Sequence, residues 1–147
     1  MNVFTHIYQD DIVRTVASNL MNKSSFGQAY NLAMEEVMSL RGFVLKSAEI
    51  LGRKPVLIDI ARQVLDGAGL GTAFSPFSSR RPFILSTAKA RRDLNFKSTP
   101  VETWLGKTIT WFMNEYKGGP PENYQTRNRE VEFAKKYQEA VRALKWG

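Results

Sequence analysis

The sequence predicts a mixed α/β (α+β) domain, rich in helix with a few short strands. Three observations carry this. Short β-branched and aromatic runs alternate with longer stretches whose apolar residues recur at helical spacing. Cap and stop residues stand at the ends of those stretches, Ser or Asp before and Gly or Asn after. The chain has 147 residues, 43% hydrophobic and 24% charged, enough apolar material for one buried core.

"NVFTHIY" (2–8) alternates and is β-rich, so it predicts a short strand. Asp10 or Asp11 then caps a helix with Ile12, Val13, Val16, Ala17, Leu20 and Met21 on its apolar face. "NKSSFG" (22–27) is a polar turn, and "QAYNLA" (28–33) is a second strand candidate. Ser39 caps a helix through Leu51, with Leu40, Phe43, Val44, Ser47, Ala48 and Leu51 on one face and Gly52 as its stop. "PVLIDI" (55–60) is a third strand candidate, apolar along its length and so expected to be buried on both faces. "ARQVLDGAGLG" (61–71) is a short helix ending in glycines, and 72–82 is a loop whose length points to function.

The stretch "STAKARRDLNFKSTPVETW" (86–104) can be a basic patch or a capped turn between two helices. Its end signals favour the turn. After the short extended "FIL" (83–85), Ser86 or Thr87 caps a helix to Leu94, and Asn95 ends it in the left-handed conformation. Ser98 or Thr99 caps the next helix, Pro100 takes its first position, and Glu102 favours the helix dipole. That helix carries Val101, Trp104, Leu105, Thr108, Ile109, Trp111 and Phe112. Lys89, Arg91, Arg92 and Lys97 then decorate a short amphipathic helix and its turn. A linker (117–127) leads to an amphipathic C-terminal helix (128–147) with Val131, Ala134, Tyr137, Val141 and Leu144 at helical spacing.

The order of these signals resembles the C-terminal part of the extended short-chain dehydrogenase/reductases, the NAD-dependent sugar-nucleotide epimerases and dehydratases. Lys89, Ala90, Leu94 and Phe96 fill that family's Ser-Lys-Ala-x-x-x-Leu-Gly-Trp outline, with Asn95 at the Gly place and Ser86 where Asp is usual. Asp11 in "HIYQDDIVRTVASNLMN", the strand-like "GQAYNLA", and the helix-Gly-strand block "MSLRGFVLKSAEILGRKPVLIDI" match in the same order. The resemblance covers about 4–116 and makes 1–116 the end of a Rossmann sheet plus the substrate-binding region. It also implies what is missing. The Gly-rich NAD loop is absent, since "DGAGLG" (66–71) follows a helix. The catalytic Tyr-x-x-x-Lys pair is absent too: none of Tyr8, Tyr30, Tyr116, Tyr124 and Tyr137 has Lys four residues on. No cofactor is therefore expected in this chain, NAD belonging to the missing Rossmann domain. The expected substrate is a nucleotide sugar. Arg81, with Arg80 beside it, stands nearest the place where the family meets the diphosphate. The alternative for both is a solvated surface pair.

No catalytic residue is assigned. His6 is the single histidine and has no nucleophile motif around it. No metal site is assigned either, because Asp10-Asp11 and Glu35-Glu36 lack ligand spacing. Trp104, Trp111 and Phe112 predict a helix core face without the interleaved arginines of a base-stacking surface. "RGFVLK" (41–46) echoes an RNA-recognition motif but reads better as helix. The absence of cysteine excludes disulfides and thiolate catalysis. With no signal core and no apolar run of about 20 residues, a cytoplasmic location without membrane contact is expected. The net charge of +7 suits phosphate-bearing partners. The competing reading is thus a small basic nucleic-acid-binding module, the weaker of the two. A self-associating interaction domain or homodimer is a third.

Overall fold

A computed structural model describes residues 3–70, 84–119 and 127–144. The expected linker residues 120–126, the long loop (72–82), and with them Arg80 and Arg81, lie outside the described residues. The element order is β1 (Val3–Phe4), α1 (Gln9–Asn19), a 3-10 turn (Lys23–Ser25), β2 (Met38–Ser39), α2 (Leu40–Ile50), α3 (Arg62–Gly67), α4 (Ala88–Leu94), α5 (Val101–Asn114) and α6 (Arg127–Leu144). This is the helix-rich mixed fold expected, and among the described residues its sheet is one two-stranded antiparallel ladder that pairs Val3 with Ser39 and Phe4 with Met38. The chain divides into two compact units, Met1–Pro55 with Ser79–Tyr116, and Val56–Ser78 with Lys117–Gly147.

In the first unit, Ser39 ends β2 and caps α2, its Oγ accepting the Gly42 N–H at 3.0 Å. Gly52 stops that helix with φ of 62°. α5 lies against α2 and supplies the centre of the core. Val101, Trp104 and Leu105 bury with Met34, and Tyr8, Met38, Phe43, Ile50 and Ile109 pack around them. Each fully buried large side chain of this kind contributes about 1.5–3 kcal/mol. Rings extend the core towards β1. His6 lies 4.6 Å from Phe4 and 6.4 Å from Trp104 between centroids, and Tyr8 stacks on Trp104 at 6.3 Å. Burial among these rings lowers the His6 pKa from its ordinary 6.5.

Several expectations fail. The 2–8 run shrinks to two strand residues. The 28–33 run forms no strand, and isolated side-chain to backbone bonds replace a ladder: Lys89 Nζ donates to the Ala29 carbonyl at 3.2 Å and Asn31 Nδ2 to that of Ser86 at 3.4 Å. Nor does 55–60 form a strand, and Val56 is 81% exposed rather than buried on both faces. An extended run needs a neighbour to become a sheet, and no third strand stands beside either run among the described residues.

α1 is turned over. Its buried residues are Asp11 and Thr15, while Ile12, Val13, Val16, Leu20 and Met21, read as the core face, are exposed. Its N-cap is Tyr8 and not Asp10 or Asp11, which sit in the first turn. Along α5, Trp111 and Phe112 are also exposed, so only the first half of the predicted aromatic face is core.

In the second unit, α3 ends as expected at glycines. Gly69 takes φ of 68°, and the Leu70 N–H then bonds back to the Leu65 carbonyl at 2.8 Å, leaving Leu70 1% exposed. Arg129 on α6 donates to the Ala68 carbonyl at 2.7 Å. The α6 stripe is half-buried at Val131, Ala134, Tyr137 and Val141, and Leu144 is exposed.

Candidate functional site

The 86–104 stretch is punctuation, built from the residues that predicted it, with some reassigned. α4 ends at Asn95, whose φ of 52° and ψ of 34° are left-handed, and the Phe96 N–H reaches back to the Ala90 carbonyl at 3.3 Å. Thr87 occupies the α4 N-cap without making a side-chain bond there. The N-cap of α5 is Pro100, one residue later than expected. Ser98 and Thr99 do not cap α5, because both are committed elsewhere. Ser98 Oγ accepts from the Glu35 N–H at 3.1 Å. Thr99 gives its N–H to Asp11 Oδ2 at 2.7 Å and its hydroxyl to Asp11 Oδ1 at 2.6 Å. The α5 end is satisfied from outside as well, the Val101 N–H donating to Glu36 Oε1 at 3.0 Å. Carboxylates from two distant segments thus hold the start of one helix, where its unpaired N–H groups favour negative charge.

Asp11 is the pin of this arrangement. It is 1% exposed and accepts from Thr99 twice and from Arg14 Nη2. A carboxylate so buried is tolerable only when its oxygens are filled by donors. Arg14 spans the junction and also donates to the Lys97 carbonyl at 3.1 Å. At the other end of α1, Asn19 Nδ2 and Asn22 Nδ2 donate to the carbonyls of Leu94 and Asp93 at 3.2 and 3.4 Å. These side chains complete the C-terminus of α4, whose last carbonyls lack helical partners.

Between α1 and the end of α4 lies a cleft of about 520 Å³. Three cations line it, Arg14, Arg92 and Lys97, with Thr15, Ser18, Asn19 and Asn95 between them and Asp93 as its carboxylate. Arg92 is committed to Asp93 at 2.7 Å. The hydrogen bond from Arg92 holds the Asp93 carboxyl below its ordinary range. Lys97 has no ion pair among the described residues. The other bases of the stretch are engaged too: Lys89 Nζ reaches Gln28 at 2.8 Å and lies 4.8 Å over the Tyr30 ring, and Arg91 pairs with Glu35 at 3.4 Å. The cleft can accept an anion at Lys97 with Arg14 and Arg92 beside it. It holds no nucleophile paired with a base. His6 lies in the aromatic cluster and not in this cleft. No group of three or more His, Cys, Asp or Glu that could hold a metal occurs among the described residues, and no helix there is long and apolar enough to cross a membrane.

Sequence reading singled out Asp11 but not its partner, which lies 88 residues away. It missed Arg14, Asn19, Asn22 and the capping role of Glu36. An Asp in a first turn and a Thr-Pro step before a helix are each visible in the sequence, but nothing local joins them.

No family model and no curated protein matches this sequence. The fold is similar to the crystal structure of gox2253, with a TM-score of 0.60 and 19% identity, over 80% of this chain and 39% of that one. The chain thus spans well under half the length of that protein, and at this identity the similarity concerns the fold alone.

Proposed function

We propose that the chain is the substrate-binding part of an NAD-dependent nucleotide-sugar epimerase/dehydratase, catalytically incomplete by itself. The observation that carries this reading is the Asp11 pin. The two segments that the resemblance sets apart, around Asp11 and from Ser86 to Trp104, are joined by the two Thr99 hydrogen bonds. Hydride transfer would belong to NAD on the absent Rossmann domain. This chain's role would be to hold the sugar nucleotide, with Arg80 and Arg81 on its diphosphate.

Thermal-shift titration of the purified chain with NAD, UDP-sugars and dTDP-sugars tests this. A sugar nucleotide is expected to raise the melting temperature and NAD is not, and Arg80→Ala with Arg81→Ala is expected to remove the shift. Tight NAD binding, or no response to any sugar nucleotide, would overturn the reading.

The cationic cleft favours a second reading, a basic nucleic-acid-binding module. It requires duplex DNA or RNA to bind with affinity falling about 0.9 log unit per log unit of salt for each phosphate neutralised. Against it, Arg14 and Arg92 already face Asp11 and Asp93. Absent or salt-insensitive binding sinks it.

A further inference from the structure

The outward side of α1 is apolar and its inward side polar, the reverse of a helix packed only on its own core. Val16 is 53% exposed and Leu20 65%, with Ile12 and Val13 beside them. A groove of about 330 Å³ continues this face, lined by Val16, Leu20, Tyr30, Leu32 and Leu94 among others. A contiguous apolar surface of this kind marks a docking site.

We propose that it is the contact between two copies of this chain, with α1 packed antiparallel on α1 about a two-fold axis at Val16. Three features argue for a second copy. The first is spacing: Val13, Val16 and Leu20 recur three and four residues apart, the seam of two helices packed at a shallow angle. The second is self-complementarity. About an axis at Val16, Leu20 of one copy meets Ile12 of the other and Val16 meets itself, so these three apolar residues find apolar partners. The third is charge. Exposed Asp10 stands at the start of this face and exposed Lys23 just beyond its end. Antiparallel packing brings each Asp10 towards the other copy's Lys23 and opposes the two helix dipoles. Asp10 also takes part in a hydrogen bond with the Tyr8 side chain. Few side chains are involved, so the interface falls at the small end of the range for stable contacts, with association in the micromolar range or weaker. The proposal is independent of the enzyme reading.

Sedimentation equilibrium of the full chain across micromolar concentrations tests it. The wild-type chain is expected to dimerise reversibly. Val16→Glu sets two carboxylates face to face on the axis and is expected to weaken association at least about tenfold. At concentrations where wild type is monomeric its melting curve should match wild type, because Val16 lies outside the core. Asp10→Lys and Lys23→Glu are each expected to weaken the dimer about two- to five-fold, and the double swap to restore it. A wild-type chain that stays monomeric overturns the proposal, as would be seen if a different protein body covers this face. A dimer indifferent to Val16→Glu, or a double swap that fails to restore association, overturns it equally.

Discussion

Replacing Asp11 with alanine removes the acceptor for two Thr99 donors at 2.7 and 2.6 Å, at a site 1% exposed. A hydrogen bond to a charged group contributes about 1.5–3 kcal/mol, and orphaning a buried donor carries a similar penalty. Two such bonds would give about 3–6 kcal/mol. Release of a desolvated carboxylate offsets part of this, so a net loss of about 3 kcal/mol is expected. In a unit of roughly a hundred residues each kcal/mol shifts Tm by about 4–8 °C, so the first unit should melt about 12–24 °C lower. Asp11→Asn keeps one acceptor oxygen for the Thr99 N–H and is expected to cost about half as much. Arg14→Gln is the control. Its side chain is 56% exposed although that of Asp11 is 1%, and Asp11 keeps both Thr99 donors without it, so a smaller loss than that of Asp11→Ala is expected. Near-ultraviolet circular dichroism follows the aromatic cluster of this unit through heat and urea denaturation. The reasoning is refuted if Asp11→Ala lies within about 1 kcal/mol of wild type. It is refuted too if Arg14→Gln costs as much, because the ion pair and not the Thr99 contact would then be holding the junction.

Two further outcomes follow from the same unit. Asn95→Gly should leave the melting temperature nearly unchanged, whereas Asn95→Val, forced into the left-handed region at φ of 52°, should cost about 1–2 kcal/mol; equal effects would mean that the backbone conformation does not matter there. His6 is the only histidine, and its folded pKa lies below the ordinary 6.5. The unfolded chain therefore binds the proton first as pH falls. Stability is full above pH 6.5, declines below it and levels off beneath the folded pKa; His6→Phe should flatten this step in urea melts, and a step that survives would assign it to other groups.

Local signals survived folding best. Ser39 before α2 acts through its side chain on a backbone N–H three residues on, and Gly52 after it and Asn95 after α4 act through their own backbone, so neighbouring residues are enough to read them. What depended on distant partners did not survive. The 28–33 and 55–60 runs are extended by composition, but a strand exists only when another lies beside it. The periodicity of α1 identified a two-sided helix correctly. It could not tell which side faces inward, because an apolar stripe marks burial against something without naming it. The polar side went in because Asp11 finds Thr99 there, while the Thr15 hydroxyl is satisfied within α1 itself by the Asp11 carbonyl at 2.6 Å. Ser98 and Thr99 were plausible caps by position and were drawn away by Glu35 and Asp11. Asn19 and Lys97 carried no motif, since they act through a backbone carbonyl or by exposure, and only Arg14 left a pattern, its i,i+3 spacing from Asp11.

The first unit is drawn from two stretches, 1–55 and 79–116. Met34 comes from one and Val101, Trp104 and Leu105 from the other, so neither stretch owns a core. The bonds from Thr99 to Asp11, Val101 to Glu36, Asn19 to Leu94 and Lys89 to Ala29 all run between them. None of these contacts requires a continuous chain through 56–78. The unit is in effect a natural split protein. Expressed as two peptides, its halves carry complementary surfaces and should reassemble without a covalent link.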